Sequence, residues 1–414
     1  MVAMSSLTPW TAATSSPLTT SPPSSRSNFP KHLPFPSSSP PCLIFRCQSQ
    51  NLTQDHQFVL HDALDASGFD THHARAARDS FCSQISRLSS LERETSICID
   101  RGVDLGTTAL HIAAEDHNLV SQSSEAFPVD EFVDRLDDVS MGCLSRCSSS
   151  FRSSPEDFLG SLERYLYGYM GFRRATARNQ SETQALYLDS VLTHRSGSVV
   201  MLSLIYSEIL KMVRMWDLLN FDVEIYFPHD LVSLPRGYQK QKSKVADQSH
   251  IMTSQSLLAE VLRNLKEAFW PFKYDHTMSL FLRAAHAANC IGRPSILEQS
   301  GGIEIASAKA IKHKAEYGVW NGDMRCALSA CERLILLESG SNELRDYSVL
   351  LYHCGFYQES LHYLKLYQSL RNSCIQKQSS NASRNLEEDE VEKLMIRLNL
   401  ILMEQGWTRS SCVA

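Results

Sequence analysis

The chain has 414 residues, a mass of 46.6 kDa and a formal net charge of -6 at pH 7. Its 43% hydrophobic and 21% charged residues are typical of a globular protein, and its mild acidity argues against a basic nucleic-acid-binding surface. The richest apolar run, Val199 to Leu210, is interrupted by Ser203, Ser207 and Glu208. We therefore expect no integral membrane segment.

The first 54 residues contain no acidic residue and are rich in Ser, Thr and Pro. Their only charged side chains are Arg26, Lys31 and Arg46. This composition is typical of an organelle transit peptide, and the high proline content favours a chloroplast. Ile44 to Cys47 resembles a stromal processing site, so we predict a transit peptide over residues 1–47 and a stromal mature protein. The alternative is a disordered tail with no targeting role.

The mature chain begins with a predicted helical extension over residues 48–104. Helical periodicity runs from Phe58 to Ile97, with an exposed Ala- and Arg-rich turn predicted from Asp70 to Ser80. Thr107 and Thr108 are the residue types that cap a helix, and we expect them to open the next one.

The middle of the chain predicts six helices, one strand and a long polar loop. Phe221 to Tyr226 alternates acidic and apolar residues, which is the pattern of a half-buried strand. The loop after it spans Leu234 to His250 and contains three lysines. The predicted helices are Val129 to Val139, Pro155 to about Met170, Ala185 to Thr193, Ser198 to Val213, Ser256 to Ala268, and Tyr274 to Ala288.

Two helix-turn-helix units are predicted near the C-terminus, over Ile303 to Leu337 and Glu343 to Leu370. Each has a glycine after its first helix, and a small residue, Ala327 or Ser360, allows close packing of the second. This spacing is typical of tetratricopeptide-type helical pairs. The predicted boundaries are residues 300–372 for the helical pairs and 373–414 for a linker and a capping helix.

The twelve cysteines predict neither a disulfide framework nor a zinc site. None of the close pairs is a CxxC, and none is followed by a second pair at zinc-finger spacing. The pattern favours buried, reduced thiols, and we expect neither a metal nor another cofactor. The close pairs are Cys42 and Cys47, Cys143 and Cys147, and Cys326 and Cys331.

Four segments follow one another as Ala109 to Glu115, Val129 to Val139, Leu166 to Arg173, and Tyr187 to Tyr206. Their content and order resemble the bacterial SirB-type transglutaminase-like family, whose members end in tetratricopeptide helices. Arg345 to Tyr367 resembles the final repeat of that family. The resemblance implies an α+β, predominantly helical fold, with a papain-like core over residues 105–299 followed by tetratricopeptide-like helical hairpins.

The resemblance also implies where catalysis would reside. Active relatives place a nucleophilic Cys at the start of a central helix, a His on the next strand and an Asp on the one after. Aligning Gly197 with the glycine of the family's Arg-Arg-Gly motif puts Val199 at the Cys position, where the SirB-type family usually has Pro. No cysteine occurs between Cys147 and Cys290, so a small shift of the alignment supplies no thiol.

His229 matches the family's retained Phe-Pro-Gly-His, although the glycine is absent here. Asp247 and Asp275 are possible acids by position, without a motif. A lone histidine beside a loop is more often structural than catalytic, so the resemblance implies a degenerate site at Val199 and His229.

We therefore predict a non-enzymatic protein that acts through protein–protein interaction as an adaptor, assembly or regulatory factor. Trp320, Tyr357 and His353 are the predicted partner surface, and the alternative for the two aromatic residues is burial in the repeat core.

A competing hypothesis is a hydrolase or acyltransferase of the same fold with another nucleophile, which would be Ser196, Ser198 or Ser203. A nucleic-acid partner is not expected. The basic cluster in the predicted loop consists of Arg236, Lys240, Lys242 and Lys244.

Overall fold

The computed structural model describes most of the chain from Phe58 to Ser411. The described residues are 58–91, 104–121, 125–147, 154–175, 182–228, 230, 232–239, 253–272, 277–290, 322–337, 340–374 and 382–411. The predicted transit peptide, His229, Asp247, Asp275 and Trp320 lie outside them.

The described residues form thirteen α-helices, four short strands, a π-helical segment and a 3₁₀ segment. The helices are α1 Leu60–Asp65, α2 His72–Leu91, α3 Leu105–Ser121, α4 Val129–Cys147, α5 Pro155–Glu163, α6 Leu188–His194, α7 Val199–Met215, α8 Ser254–Ala268, α9 Leu280–Cys290, α10 Gly322–Leu336, α11 Ser341–Cys354, α12 Tyr357–Cys374 and α13 Ala382–Ser411. The strands are β1 Arg173–Arg174, β2 Ser196–Gly197, β3 Val223–Tyr226 and β4 Arg236–Gln239. The π-helical segment is Arg164–Tyr169 and the 3₁₀ segment is Glu182–Leu186.

The strands pair as two small sheets. β1 and β2 are parallel, with Arg173 opposite Ser196, whereas β3 and β4 are antiparallel, with Tyr226 opposite Arg236. The predicted strand over Phe221 to Tyr226 is therefore confirmed over Val223–Tyr226, but Glu224 is buried instead of exposed, so the strand is not half-buried as expected. Among the described helices, none is long and apolar enough to cross a membrane.

Strand β4 corrects the prediction that the loop begins at Leu234. Residues 236–239 lack the alternation of apolar and polar residues that predicts a strand. Gly237 instead allows the strand to pack closely against Leu159 and Tyr206. A Cβ at Gly237 would lie 2.8 Å from both Leu159 Cδ2 and the Tyr206 hydroxyl. That hydroxyl accepts a hydrogen bond from the Gly237 N–H at 3.1 Å. The guanidinium of Arg236 lies 5.0 Å from the centre of the Tyr226 ring, so this predicted loop cation is part of the sheet.

Helix α2 corrects the predicted exposed turn from Asp70 to Ser80. The helix starts at His72, whose N–H donates to the Asp70 carboxylate at 2.9 Å. Arg78 is buried and pairs with Glu115 on α3, with Nη2 and Oε1 2.7 Å apart. The charged residues of this segment therefore predicted that it is exposed. Arg78 is buried instead, because its partner Glu115, 37 residues later in the chain, compensates its charge.

Two other helix ends differ from prediction. Helix α3 begins at Leu105, and its capping carboxylate belongs to Asp104, which accepts from the Thr107 N–H at 2.9 Å. Helix α4 continues beyond Val139 to Cys147 because Ser140, Cys143 and Cys147 face the interior.

Two hydrophobic cores organise the described chain. The first core surrounds α7, an almost fully buried helix, and receives apolar side chains from α2 to α6, α8, β3 and α10. The second core is formed mainly by α9 to α13 together with Trp270 and Phe272. Helix α10 contributes to both, with Leu334 in the first core and Leu328 in the second.

Helices α11 and α12 form the hairpin predicted over Glu343 to Leu370. Gly355 ends α11 with a φ of 84°, the left-handed conformation that favours glycine at this position. The Ser348 hydroxyl donates to the Ser360 carbonyl, and the Ser360 hydroxyl donates to the Ser348 carbonyl, both at 2.8 Å. The close approach expected at Ser360 is therefore confirmed.

Candidate functional site

The start of α7 is the position at which the sequence resemblance places the nucleophile. β2 ends at Gly197, Ser198 caps the helix, and Val199 is its first residue. Val199 is half-buried and packs against the first core. Gly197 is buried beneath it, where a Cβ would lie 2.7 Å from Val191 Cγ1. The side chain at the first position of α7 is therefore the isopropyl group of Val199.

The hydroxyls closest in sequence to Val199 serve the helix backbone. Ser198 Oγ accepts a hydrogen bond from the Met201 N–H at 3.3 Å, which is the ordinary role of an N-cap serine. Ser203 is buried and its hydroxyl donates to the Val199 carbonyl at 2.9 Å. Ser196 is half-buried within the β1–β2 pair.

The segment that carries His229 is anchored beside the strands that lead to Val199. Arg174 on β1 donates from Nη1 to the carbonyls of Asp230 and Ser233, at 2.6 and 3.0 Å. The Asp230 carboxylate accepts from the N–H groups of Ser233 and Val232, at 2.6 and 2.8 Å. These backbone donors lower the pKa of Asp230 to about 2. The described residues after β3 are thus held near β1.

Comparison with protein families identifies the domain that contains these elements. Residues 130–231 match the model of the transglutaminase-like superfamily. This part of the chain is a transglutaminase-like domain. The match runs from α4 to the segment after β3 and includes both Val199 and His229. No curated protein and no solved structure matches the chain.

The predicted partner surface does not form at two of its three residues. His353 is fully buried, with Nε2 3.0 Å from the Ala284 carbonyl oxygen and its ring centre 4.3 Å from that of Phe272. Tyr357 is 7% exposed, and burial raises its pKa to about 12. Their polar atoms suggested a contact surface, but both side chains pack in the second core.

The cysteines near the transglutaminase-like domain are buried thiols. Cys143 and Cys147 lie one helical turn apart, with their sulfur atoms 3.8 Å apart, and the hydrogen bond to Cys147 together with burial raises the pKa of Cys143. Burial also raises the pKa of Cys326 and Cys331, on α10. Within the described ranges, no three His, Cys, Asp or Glu side chains are grouped to hold a metal ion.

A cleft that was not predicted from the sequence lies between α3, the 3₁₀ segment and α6. The cleft has a volume of about 260 Å³ and includes Asp116, His117, Tyr187 and Asp189 in its lining. These residues come from two chain segments about 70 positions apart, and no motif connects them. Val199 is not part of the lining.

Proposed function

We propose that this chain is a non-catalytic protein of the chloroplast stroma that acts by binding another protein. The observation that carries the proposal is Val199 at the head of α7. Acyl transfer by this fold needs a thiolate or an activated hydroxyl at that position, and an isopropyl group has no nucleophilic atom. The transglutaminase-like domain would then be retained for its shape.

The side chains around Val199 support this proposal. The hydroxyls of Ser198 and Ser203 both bond to the backbone of α7, which is a structural role for each. Cys143 and Cys147, the cysteines within the family match, are buried on α4. The hydrogen bond to Cys147, together with burial, raises the pKa of Cys143, which reduces its nucleophilicity at neutral pH. The same hydrogen bond lowers the pKa of Cys147, whose thiol is buried.

The C-terminal helices support a binding role. We infer that α11 and α12 are a tetratricopeptide-like hairpin and that the whole chain is a SirB-type protein. The Gly355 turn and the reciprocal Ser348–Ser360 hydrogen bonds give the close antiparallel packing that such repeats use. Helical repeats of this kind generally act as surfaces for other proteins.

Chemical labelling tests the absence of catalysis. The mature protein, residues 48–414, is treated with a fluorophosphonate and with iodoacetamide, each before and after unfolding in urea. We expect no fluorophosphonate labelling of Ser196, Ser198 or Ser203 in the folded protein, and iodoacetamide labelling of the buried Cys143 and Cys147 only after unfolding. Rapid fluorophosphonate labelling of Ser196 or Ser198 that is lost on His229→Ala would overturn the proposal in favour of a serine hydrolase.

The plastid location is tested by import. We expect residues 1–60 fused to a fluorescent protein to enter isolated chloroplasts and to be cleaved near residue 47, because the segment lacks acidic residues and is rich in hydroxyls. Replacement of Ser37, Ser38 and Ser39 by Glu should abolish import. Import of the fusion into mitochondria alone, or no import, would contradict the proposed location.

A further inference from the structure

Helix α13 has a second apolar face, which lies on its solvent-exposed side. Ile396 is 55% exposed, Leu400 45% and Met403 52%. They are four and three positions apart along the chain, so their side chains lie on one face of the helix at successive turns. The opposite face packs in the second core through Val391, Leu394, Leu398 and Ile401. Only one of the two apolar faces is therefore covered by the described part of the chain.

An exposed apolar face is unexpected on a helix that ends a stack of hairpins. Terminal helices of such stacks normally have a polar outer face, because no further helix packs on them. A single exposed apolar side chain needs no explanation, whereas three at helical spacing form a seam on which an amphipathic helix packs. The predicted capping helix can therefore receive one more helix on its outer side.

Two carboxylates continue this face toward the N-terminus of α13. Glu392 lies four residues before Ile396 and Asp389 lies seven residues before it, so both share the face of the apolar residues. Both carboxylates are exposed, and neither lies within ion-pair distance of a cation among the described residues. We call these two acids together with Ile396, Leu400 and Met403 the α13 outer face, which has an acidic half and an apolar half.

The charges of the α13 outer face favour a helix of another protein over a second copy of this chain. A second copy would bring the same two carboxylates to the interface. Lys393 on this helix is already paired, with its Nζ 2.7 Å from Glu390 Oε1, and Arg397 donates to the Ala288 carbonyl on α9. Both cations are thus engaged elsewhere, and carboxylates without cations disfavour an interface between identical surfaces. A helix with basic residues beside its apolar stripe would neutralise them.

We propose that the α13 outer face docks a basic amphipathic helix of another protein. The partner helix lies antiparallel to α13, an orientation that places opposite ends of the two helix dipoles together and continues the alternation of the α11–α12 hairpin. Counted backward from Met403, the apolar contacts come at zero, three and seven residues, and the two carboxylates at eleven and fourteen. The partner helix therefore presents apolar residues at positions j, j+3 and j+7 and Lys or Arg at j+11 and j+14. The proposal rests on the proposed function, because it specifies the kind of protein that this chain binds.

A designed peptide tests the chemistry of this face. The probe has leucines at j, j+3 and j+7 and lysines at j+11 and j+14 of an alanine- and glutamine-rich helix. One control replaces both lysines by glutamate, and a second replaces the leucines by glutamine. Fluorescence anisotropy with the mature protein should show saturable binding of the probe and at least about tenfold weaker binding of each control. A third peptide, with its lysines before its leucines, should also bind more weakly because its cations lie at the wrong end.

Two variants of the protein locate the binding. Leu400→Gln removes the central apolar contact, and we expect the probe to bind at least about tenfold more weakly. Asp389→Asn combined with Glu392→Gln removes both charges and should weaken binding similarly, with a smaller dependence on salt. All three side chains are exposed, so we expect the fold to be kept.

Matched controls lie on α4. Met141 is 54% exposed, so Met141→Gln changes an exposed apolar side chain as Leu400→Gln does. Asp134→Asn combined with Asp138→Asn removes two exposed carboxylates that lie one helical turn apart. Both controls should leave binding of the probe unchanged.

Wild-type affinity in the two α13 variants, equal binding of the glutamate or the glutamine control, or no binding at millimolar probe would overturn the proposal. Tighter binding of the peptide with its lysines before its leucines would overturn the antiparallel orientation. A dimer of the mature protein in analytical ultracentrifugation that Leu400→Gln dissociates would overturn the proposal in favour of self-association. None of these outcomes affects the labelling experiment, so the docking surface and the proposed absence of catalysis fail separately.

Discussion

Gly197 is the residue on which the placement of Val199 depends, and the structure explains why a glycine is needed there. A side chain at this position points at Val191 on α6, with the added Cβ 2.7 and 2.9 Å from its two methyl carbons. Val191 is fully buried in the first core and has no room to retreat. Gly197, which was used to align the chain with the family motif, therefore has a packing role in β2.

We expect Gly197→Ala to lower the free energy of unfolding by about 1–3 kcal/mol, because the new methyl overpacks a dense core. Urea unfolding followed by circular dichroism measures this loss. Adding Val191→Ala should restore part of it, and the coupling between the two sites is the diagnostic quantity.

Gly160→Ala is the matched control, since Gly160 lies inside α5 and a Cβ there meets nothing within 4 Å. This substitution should be neutral or stabilising because alanine favours the helix. Equal destabilisation by Gly197→Ala and Gly160→Ala would show that contact with Val191 is not the cause.

For single residues, prediction from sequence was correct where the role of a side chain depends on its neighbours in the chain. Ser198 was expected at the start of the α7 helix and does cap it. The burial of His353 was missed because it depends on Ala284 and Phe272, which lie far from it along the chain, whereas burial of Tyr357 was the alternative weighed from the sequence. The cleft beside Asp116 and Tyr187 was missed for a similar reason, because its lining comes together only where α3 and α6 pack.

At the scale of elements, helices with strong apolar periodicity were predictable. The predicted boundaries of α7 and α8 are within two residues of those observed, because one face of each must be buried whatever its partner. Strand β4 and the burial of Arg78 on α2 were not predictable. Both depend on tertiary contacts, the first with Tyr206 and the second with Glu115.

A buried ion pair links α8 to α11. Lys266 Nζ lies 2.9 Å from Asp346 Oδ2, and both side chains are buried. Burial opposes the charge of Asp346, but the attraction of Lys266 and Arg345 outweighs it and lowers its pKa. Burial also opposes the charge of Lys266, and the attraction of Asp346 outweighs it and raises its pKa.

We expect Lys266→Met to lower the free energy of unfolding by about 3–5 kcal/mol at pH 7, because it leaves Asp346 without its closest cation. The depressed pKa of Asp346 gives stability that is present above its unfolded value of 3.8 and is lost as pH falls through the folded pKa. The raised pKa of Lys266 gives stability that is present below 10.5 and is lost as pH rises through its folded pKa.

The difference between wild type and Lys266→Met should therefore be constant from pH 5 to about pH 9, shrink below about pH 4, and shrink again as pH rises through the folded pKa of Lys266. Denaturant titrations at several pH values measure it. Lys393→Met, in which an exposed lysine on α13 is changed, should leave the midpoint unchanged. A difference that disappears near pH 6 would contradict the assignment to Asp346.

At the scale of the whole molecule, Glu115 joins early and late parts of the chain. It is fully buried and accepts hydrogen bonds from Arg78 on α2, at 2.7 Å, and from Ser329 on α10, at 2.8 Å. Arg333 on α10 lies 3.1 Å from the same carboxylate. Burial opposes the charge of Glu115, yet Arg333 and Arg78 hold its pKa well below the ordinary value.

Helix α10 therefore completes an ion cluster as well as two cores. Its apolar residues Ala330 and Leu334 belong to the first core, and Leu328 and Ile335 belong to the second. The division of the chain into a domain over residues 105–299 and separate helical pairs was inferred from the family resemblance, and it stays a prediction. The packing of α10 implies that the two parts do not fold independently.

We expect a chain ending at residue 299 to lack a cooperative unfolding transition, because it loses Arg333 and one wall of the first core. Residues 48–299 and 48–414 are compared by near-ultraviolet circular dichroism and by limited proteolysis. The shorter chain should lose its near-ultraviolet signal and be digested at least about tenfold faster, since cleavage follows the population of open forms.

A milder change tests the same link in the complete mature chain. Leu334→Ala removes a fully buried side chain of α10 from the first core and should lower the free energy of unfolding by about 2–5 kcal/mol. Because α10 also holds the second core, the fluorescence of Trp270 there should report the same shifted transition as circular dichroism. A Trp270 transition that stays at the wild-type midpoint, or a native-like melt of residues 48–299, would show that the two cores are independent.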